Sequence, residues 1–409
     1  MRSPFVQTAL ALLVSLFLMV AIPATSGAQT RQVAKPVGAE PTPESAVSAI
    51  LAAFDKYEIV GMPEAHDLKD IDDFIFSLIR NPMFPQKVND IEVECGNSLY
   101  QPILDRYIAG EDVPFTEVRK VWRNTTQDMC GDSQFFGQFF PLVRAINSKL
   151  PPERRLRVLA GDPPIDWDQV KTPEDAGKFF GKNSSRDASI ASVLEKETLS
   201  KHRKALMLFG TFHLMHGLVF GPNDTLADAV TIYEKDYPGV TFVISDLGFF
   251  DTDLPSLSSS PFANWPVPSL ARIKGTWLGA LNLAHFLPGP ISVDVDCKVR
   301  DELPEEYQRS LDSLVDAVLY LGPQDLRLRE ELPADVVLDA NYRAEVTRRQ
   351  GLAGLPVQSF VSPSKENDQR IMNRAANPMF VIPRVPDAVI QGMVQTCLNR
   401  KNGTNGAPK

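Results

Sequence analysis

Glu64 and His66 stand two residues apart, directly after the short apolar run Ile59-Val60-Gly61-Met62-Pro63. A carboxylate beside an imidazole can do two kinds of chemistry. Neutral imidazole and carboxylate oxygen coordinate divalent metals, and an open coordination position would activate water. Without a metal, a buried carboxylate next to histidine makes an acid–base pair. Three more apolar runs end the same way. Glu94 closes Asp-Ile-Glu-Val-Glu, Asp162 follows Arg155–Gly161, and His213 and His216 follow Lys204–Phe209 and its Gly210-Thr211 turn. The chain has five histidines, and three of them fall at these run ends, which argues for one site. Glu64, His66, Glu94 and His213 are the candidate catalytic residues and also the candidate metal ligands. Asp162 reads equally as a turn residue before Pro163, and His202 and His285 as structural.

The elements that must position these residues follow from periodicity. Runs at 58–61, 89–94, 155–160, 204–209, 240–245 and 317–321 read as strands, the fourth apolar throughout as in a sheet covered on both faces. Helical spacing predicts helices over 43–57, over 67–80 with Asp67 as N-cap, and over 98–109. Further helices are predicted over 133–150, 173–180, 184–199 and 225–234. Phe135, Phe136, Phe139 and Phe140 read as core rather than as a flat apolar pocket. Strands alternating with helices predict an α/β fold, a mostly parallel sheet with helices on both faces. In such a sheet the strand ends carrying these residues open on one edge, where ligands bind.

Arg2, the 14-residue apolar run Ala9–Ile22 and Ser26-Gly27-Ala28 match a secretion signal, and the run is short for a membrane span. Cleavage after residue 28 would remove one positive charge and change the net from −9 to −10. That balance argues against a nucleic-acid partner. The expected organisation is signal 1–28, tether 29–43, α/β domain 44–325 with an irregular insertion at about 251–290, helical extension 326–401 and tail 402–409. After signal cleavage no segment is apolar enough to span a bilayer, and the expected location is the periplasm or the extracellular space. The four cysteines allow three connectivities and include no C-x-x-C. A Cys95–Cys130 bridge is the pairing expected, holding Trp122-Arg123 near Glu94.

Glu64-Ala65-His66-Asp67 resembles the opening motif of the ChaN-like, haem-binding-uptake and Tiki superfamily, distantly akin to the erythromycin esterases. Gln101–Glu111 is similar to the helix that follows the second strand there, and Gly210-Thr211-Phe212-His213 to its later Gly-x-x-His turn. Asp316–Gly322 is a fainter match to the last strand. The resemblance covers roughly 57–250. It implies an α/β sandwich and three activities: haem binding, metal-dependent peptide cleavage and ester hydrolysis. Carried over by motif, it points to Glu64, His66, Glu94 and His213. The expected function is an exported hydrolase, with or without a divalent metal, acting on an ester or amide in a small molecule or peptide. The alternative is haem or porphyrin binding without catalysis, with Tyr100 and His216 at the cofactor.

Overall fold

The computed structural model describes residues 38–64, 66–180, 186–220, 226–246, 262–283, 292–293, 297, 299–300, 308–323, 326–353, 363–379, 391, 394–395 and 397–398. The signal, most of the tether, His285 and the tail lie outside them. Eight strands form one sheet: β1 (Pro43–Ser45), β2 (Ile59–Pro63), β3 (Asp90–Asn97), β4 (Arg157–Asp162), β5 (Ala205–Phe209), β6 (Thr241–Asp246), β7 (Ser269–Arg272) and β8 (Ala317–Tyr320). Their order is β1-β7-β8-β6-β2-β5-β3-β4. The six strands from β8 to β4 are parallel, and β7 runs antiparallel to both β8 and β1.

Helices cover both faces, so the protein is α/β as its alternating pattern predicts. One face packs α1 (Ala46–Ala53), α2 (Lys69–Arg80), α3 (Gln101–Ala109) and α4 (Phe135–Asn147) over Val60, Val93 and Leu208. Phe135, Phe136, Phe139 and Phe140 are at most 1% exposed in this layer, so they are core. The other face carries α5 (Arg186–Glu197) and α6 (Ala229–Tyr233), whose Ile190, Leu194 and Val230 pack on Met207 and Phe209. Among the described residues, no helix is long and apolar enough to cross a membrane.

Several boundaries differ from the periodicity reading, each for a local reason. Pro43–Ser45 is an edge strand against Ser269–Ala271, a place where proline's missing N–H costs nothing. Ser269–Arg272, inside the stretch read as irregular, supplies that partner. Cys95-Gly96 does not end β3. The strand runs on to Asn97 with a register shift after Val93, and a side chain at Gly96 would lie 2.7 Å from Ala160 Cα. Residues 225–234 give only a short helix, because Leu226–Ala227 pairs with Val219–Phe220 and Asp228 caps the helix by accepting from Thr231 N at 2.7 Å. Asp67 is not an N-cap. It sits at φ 75°, and α2 begins at Lys69 with Leu68 in the cap position.

Cys95 and Cys130 are bridged, and so are Cys297 and Cys397. The first bridge closes 35 residues between β3 and the segment before α4. Replacing both of its cysteines by alanine is expected to lower unfolding free energy by about 3–4 kcal/mol in urea titration. An unchanged midpoint would mean that the bridge constrains nothing the fold does not already hold.

Candidate active site

Glu64 leaves β2 with its N–H donating to Phe209 O at 3.0 Å, which fixes it at the carboxyl edge of the sheet beside β5. Its carboxylate is 1% exposed, and neither oxygen has a hydrogen-bond partner. His66 Nδ1 lies 3.4 Å from Glu64 Oε2, and His66 Nε2 lies 3.8 Å from Glu94 Oε1. The His66 side chain is 24% exposed, so the ring joins the buried acid to solvent.

Glu94 reaches across from β3. Its Oε2 accepts from Gly210 N at 2.5 Å, and its Oε1 accepts from Arg186 Nη1 at 2.7 Å. Arg186 Nε donates to Asp162 at 2.6 Å, and Asp162 also accepts from Thr126 N and the Thr126 hydroxyl. His213 follows β5. Its Nδ1 lies 2.6 Å from Asp187, and its Nε2 lies 3.4 Å from Glu94 Oε1 and 3.1 Å from Arg186 Nη1. Asp187 also accepts from Ala229 N, which fixes its rotamer. Two imidazole–carboxylate pairs, Glu64–His66 and Asp187–His213, therefore flank a Glu94–Arg186–Asp162 ion chain.

Protonation follows from these contacts. Burial pushes Glu64 up to about 7, with the His66 charge opposing and Glu94 assisting. Burial alone would lower His66, but Glu64 and Glu94 raise it to about 9. Burial alone would likewise lower His213, but Asp187 and Glu94 raise it to about 10. An imidazolium at 213 turns its Nε2–H toward Glu94, and the nearby guanidinium is then accommodated by Glu94 and Asp162. Burial alone would raise Glu94, but the His213 and Arg186 charges hold it well below the usual carboxylate range. Glu94 is thus a fixed anion with its oxygens occupied, whereas Glu64 titrates near neutrality.

The four sequence candidates do converge, through the Glu64–His66, His66–Glu94 and Glu94–His213 contacts. Arg186 supplies the cation between Glu94 and His213 that a divalent ion would supply. Donor atoms of Glu64, His66 and Cys95 lie within 4.8 Å of one another, yet Cys95 Sγ is bonded to Cys130 and is no thiolate.

Tyr100 and His216 are not brought to this cluster. The Tyr100 hydroxyl accepts from Asn124 Nδ2 at 3.1 Å. His216 is held between Glu234 at 2.9 Å and Asp316 at 3.0 Å. Trp122 enters the core and Arg123 pairs with Asp335, so it is Thr126 of that bridged segment that reaches the site.

Arg186 and Asp187 escaped the sequence reading. They occupy the start of a predicted helix, with no strand end to mark them. The C-terminal segment escaped it too. Residues 328–330 run alongside the turn after His66: Lys69 N donates to Leu328 O at 3.1 Å and Glu330 N to Asp67 O at 3.3 Å. Asp67 is held in its left-handed conformation by Arg374 at 2.5 Å and Arg329 at 3.7 Å. The cost of that backbone is borne by two cations from distant sequence.

No family model and no curated protein matches this chain. Solved structures similar to it include the type III effector HopBA1, at 16% identity and a TM-score of 0.33, covering 51% of this chain and 85% of that one. A Bacillus cereus protein is 12% identical with a TM-score of 0.43, covering 69% and 94%. A mutant of the erythromycin esterase EreC in its open conformation is 11% identical with a TM-score of 0.40, covering 67% and 92%.

Proposed function

We propose that the protein is a metal-free hydrolase of an ester or amide, with Glu64 as the base for water and His66 as the acid. The observation that carries this is the buried Glu64 carboxylate, which accepts no hydrogen bond and has His66 Nδ1 3.4 Å from its Oε2. An unsatisfied buried carboxylate is costly and serves best where a proton must be taken up. Glu64 takes a proton from water as the water oxygen attacks the carbonyl carbon. His66 gives its Nε2 proton to the leaving oxygen or nitrogen. Glu64 then releases its proton to solvent, and the part-exposed His66 regains one. His213, held by Asp187 and Glu94 at the same sheet edge, fixes the Glu94 carboxylate beside His66. Ionisation of Glu64 sets an acid limb near pH 7, and loss of the His66 proton sets an alkaline limb near pH 9.

The Glu64–Asp67 motif supports a place near the ChaN-like and Tiki group. The residues suggested for haem, Tyr100 and His216, are engaged with Asn124 and with Glu234 and Asp316. Export is part of the same reading, supported by the 9–28 pattern and the two disulfides. A secreted chain beginning near Gln29 is expected, and one retaining Met1 would contradict export. The metal-free claim is tested by screening aryl esters, alkyl esters, lactones and peptides before and after exhaustive chelation. Hydrolysis is expected to survive chelation. Loss restored by zinc or manganese would overturn it.

A further inference from the structure

The Cys95–Cys130 bridge lies against the two side chains of the sheet edge whose buried polar atoms are left without hydrogen bonds. Glu64 is 1% exposed, and neither of its oxygens accepts a hydrogen bond. His66 Nδ1 is buried, has no hydrogen-bond partner and lies 3.4 Å from Glu64 Oε2. The other ring nitrogen, Nε2, faces Glu94 Oε1 at 3.8 Å, which leaves Nδ1 turned to Glu64. Glu94 and Asp162 are each bonded to the Arg186 guanidinium, whereas Glu64 has no such donor. Cys95 sits on β3 where its register against β4 shifts after Val93. One donor atom each of Glu64, His66 and Cys95 lies within 4.8 Å of the other two. Two donors on one tetrahedral zinc stand about 3.3–3.7 Å apart, given Zn–N and Zn–O bonds of about 2.0–2.2 Å and Zn–S bonds of about 2.3 Å. The separation between Glu64 Oε2 and His66 Nδ1 is already that of two ligands sharing an ion.

We infer that Glu64, His66 and Cys95 form a latent site for a divalent ion of the zinc type, open only when the Cys95–Cys130 bridge is absent. A thiolate, a carboxylate and a neutral imidazole make a three-ligand set with one position left for water. The two negative charges of the set match the ion, so the buried group is neutral as a whole, and the unbonded Glu64 oxygens gain a partner. In the bridged protein the Cys95 sulfur is bonded to Cys130 and gives no thiolate. A dithiol opens the bridge: its two electrons and two protons turn the S–S bond into two thiols, and it leaves as a disulfide. Metal entry then sends the Cys95 proton, and the proton on His66 Nδ1, to solvent. Both sulfurs are buried, so the site is available before the bridge forms or after the segment between them opens to a reductant. Glu94 completes the arrangement by facing the far nitrogen of the ligand ring, as carboxylates do behind metal-bound histidines. The inference goes beyond the hydrolase reading and does not rest on it, because that reading concerns the bridged protein.

Cys130→Ala in the full chain frees Cys95 and keeps the Cys297–Cys397 bridge. Cobalt(II) is the probe, because a thiolate ligand gives it an intense charge-transfer band in the near ultraviolet. Cys130→Ala is expected to bind one equivalent with that band and to release it to zinc(II). The bridged wild-type protein is expected to show no such band. Wild-type protein reduced with dithiothreitol is expected to show it, and serves in place of Cys130→Ala if that variant does not fold. With Cys95 free, Cys95→Ser is expected to abolish the band. Glu64→Gln and His66→Phe are each expected to weaken binding at least as much as loss of a partner behind the ligands does, about 10–100-fold. No band in either form with a free Cys95 overturns the inference. So does a band whose affinity is unchanged by Glu64→Gln and His66→Phe, which would leave the metal on the thiolate alone. A bridged protein that binds cobalt as tightly as Cys130→Ala overturns it too, because the bridge would then gate nothing. Hydrolysis by the bridged protein is a separate measurement, so failure of that reading and failure of this one are told apart.

Discussion

Glu64→Gln is expected to lower kcat/KM for hydrolysis by about 10²–10⁴, the range a positioned general base supplies. Glutamine keeps the shape of a side chain that makes no hydrogen bond, so the fold has nothing to lose by the exchange. Two further readouts separate this from misfolding. The far-ultraviolet circular dichroism is expected to be unchanged. The His66 ring is expected to titrate well below about 9, because burial lowers it and Glu64 is the first partner opposing that. The pH dependence of stability also has a sign. Glu64 has its proton affinity raised in the folded state, so its contribution is most favourable below its ordinary pKa and is lost as pH rises through about 7. Glu64→Gln removes that loss.

Arg186→Met is expected to cost about 3–5 kcal/mol of stability, the penalty for stripping the partner from a buried ion pair. Arg186 makes three donations: to Asp162 at 2.6 Å, to Glu94 Oε1 at 2.7 Å and to Glu94 O at 3.3 Å. Methionine fills the volume but leaves two buried carboxyl groups without their cation. Glu94 is held below its ordinary range in the wild-type protein, so its contribution is present above that pKa and lost on acidification. Without the guanidinium, burial dominates and Glu94 becomes easier to protonate. The deficit in urea unfolding is therefore expected to be largest near pH 7 and to shrink toward pH 4. Adding Glu94→Gln to Arg186→Met should recover part of it. A deficit under 1 kcal/mol at pH 7 would show that the ion chain is solvated rather than structural.

Much of this site could be read from the chain because strand ends in a parallel sheet share one edge. Glu64, His66, Glu94 and His213 each follow an apolar run, and the sheet order β2-β5-β3 brings three such ends side by side. Asp162, which read equally as a turn residue, is at the same edge and anchors Arg186. What could not be read depends on tertiary contact. Arg186 and Asp187 sit on a helix start, where periodicity gives no sign of a buried guanidinium. Asp67 had the residue type and position of an N-cap, but Arg329 and Arg374 compete for its carboxylate and draw the backbone into a left-handed turn. His216 shares its turn with His213, and a bend of three residues is enough to send it to Glu234 and Asp316 instead. The edge strand Pro43–Ser45 and its neighbour Ser269–Arg272 are short, and each is fixed by its partners rather than by its own pattern.

The measurement that bears most directly on the Glu64–His66 pair is the pH dependence of kcat/KM in chelated protein, compared with that of Glu64→Gln. The expected result is a bell with limbs near pH 7 and pH 9 in the wild-type protein, and a residual rate without the acid limb in the variant. An acid limb that survives Glu64→Gln, or a variant as active as the wild type, would contradict the assignment of Glu64 as the base.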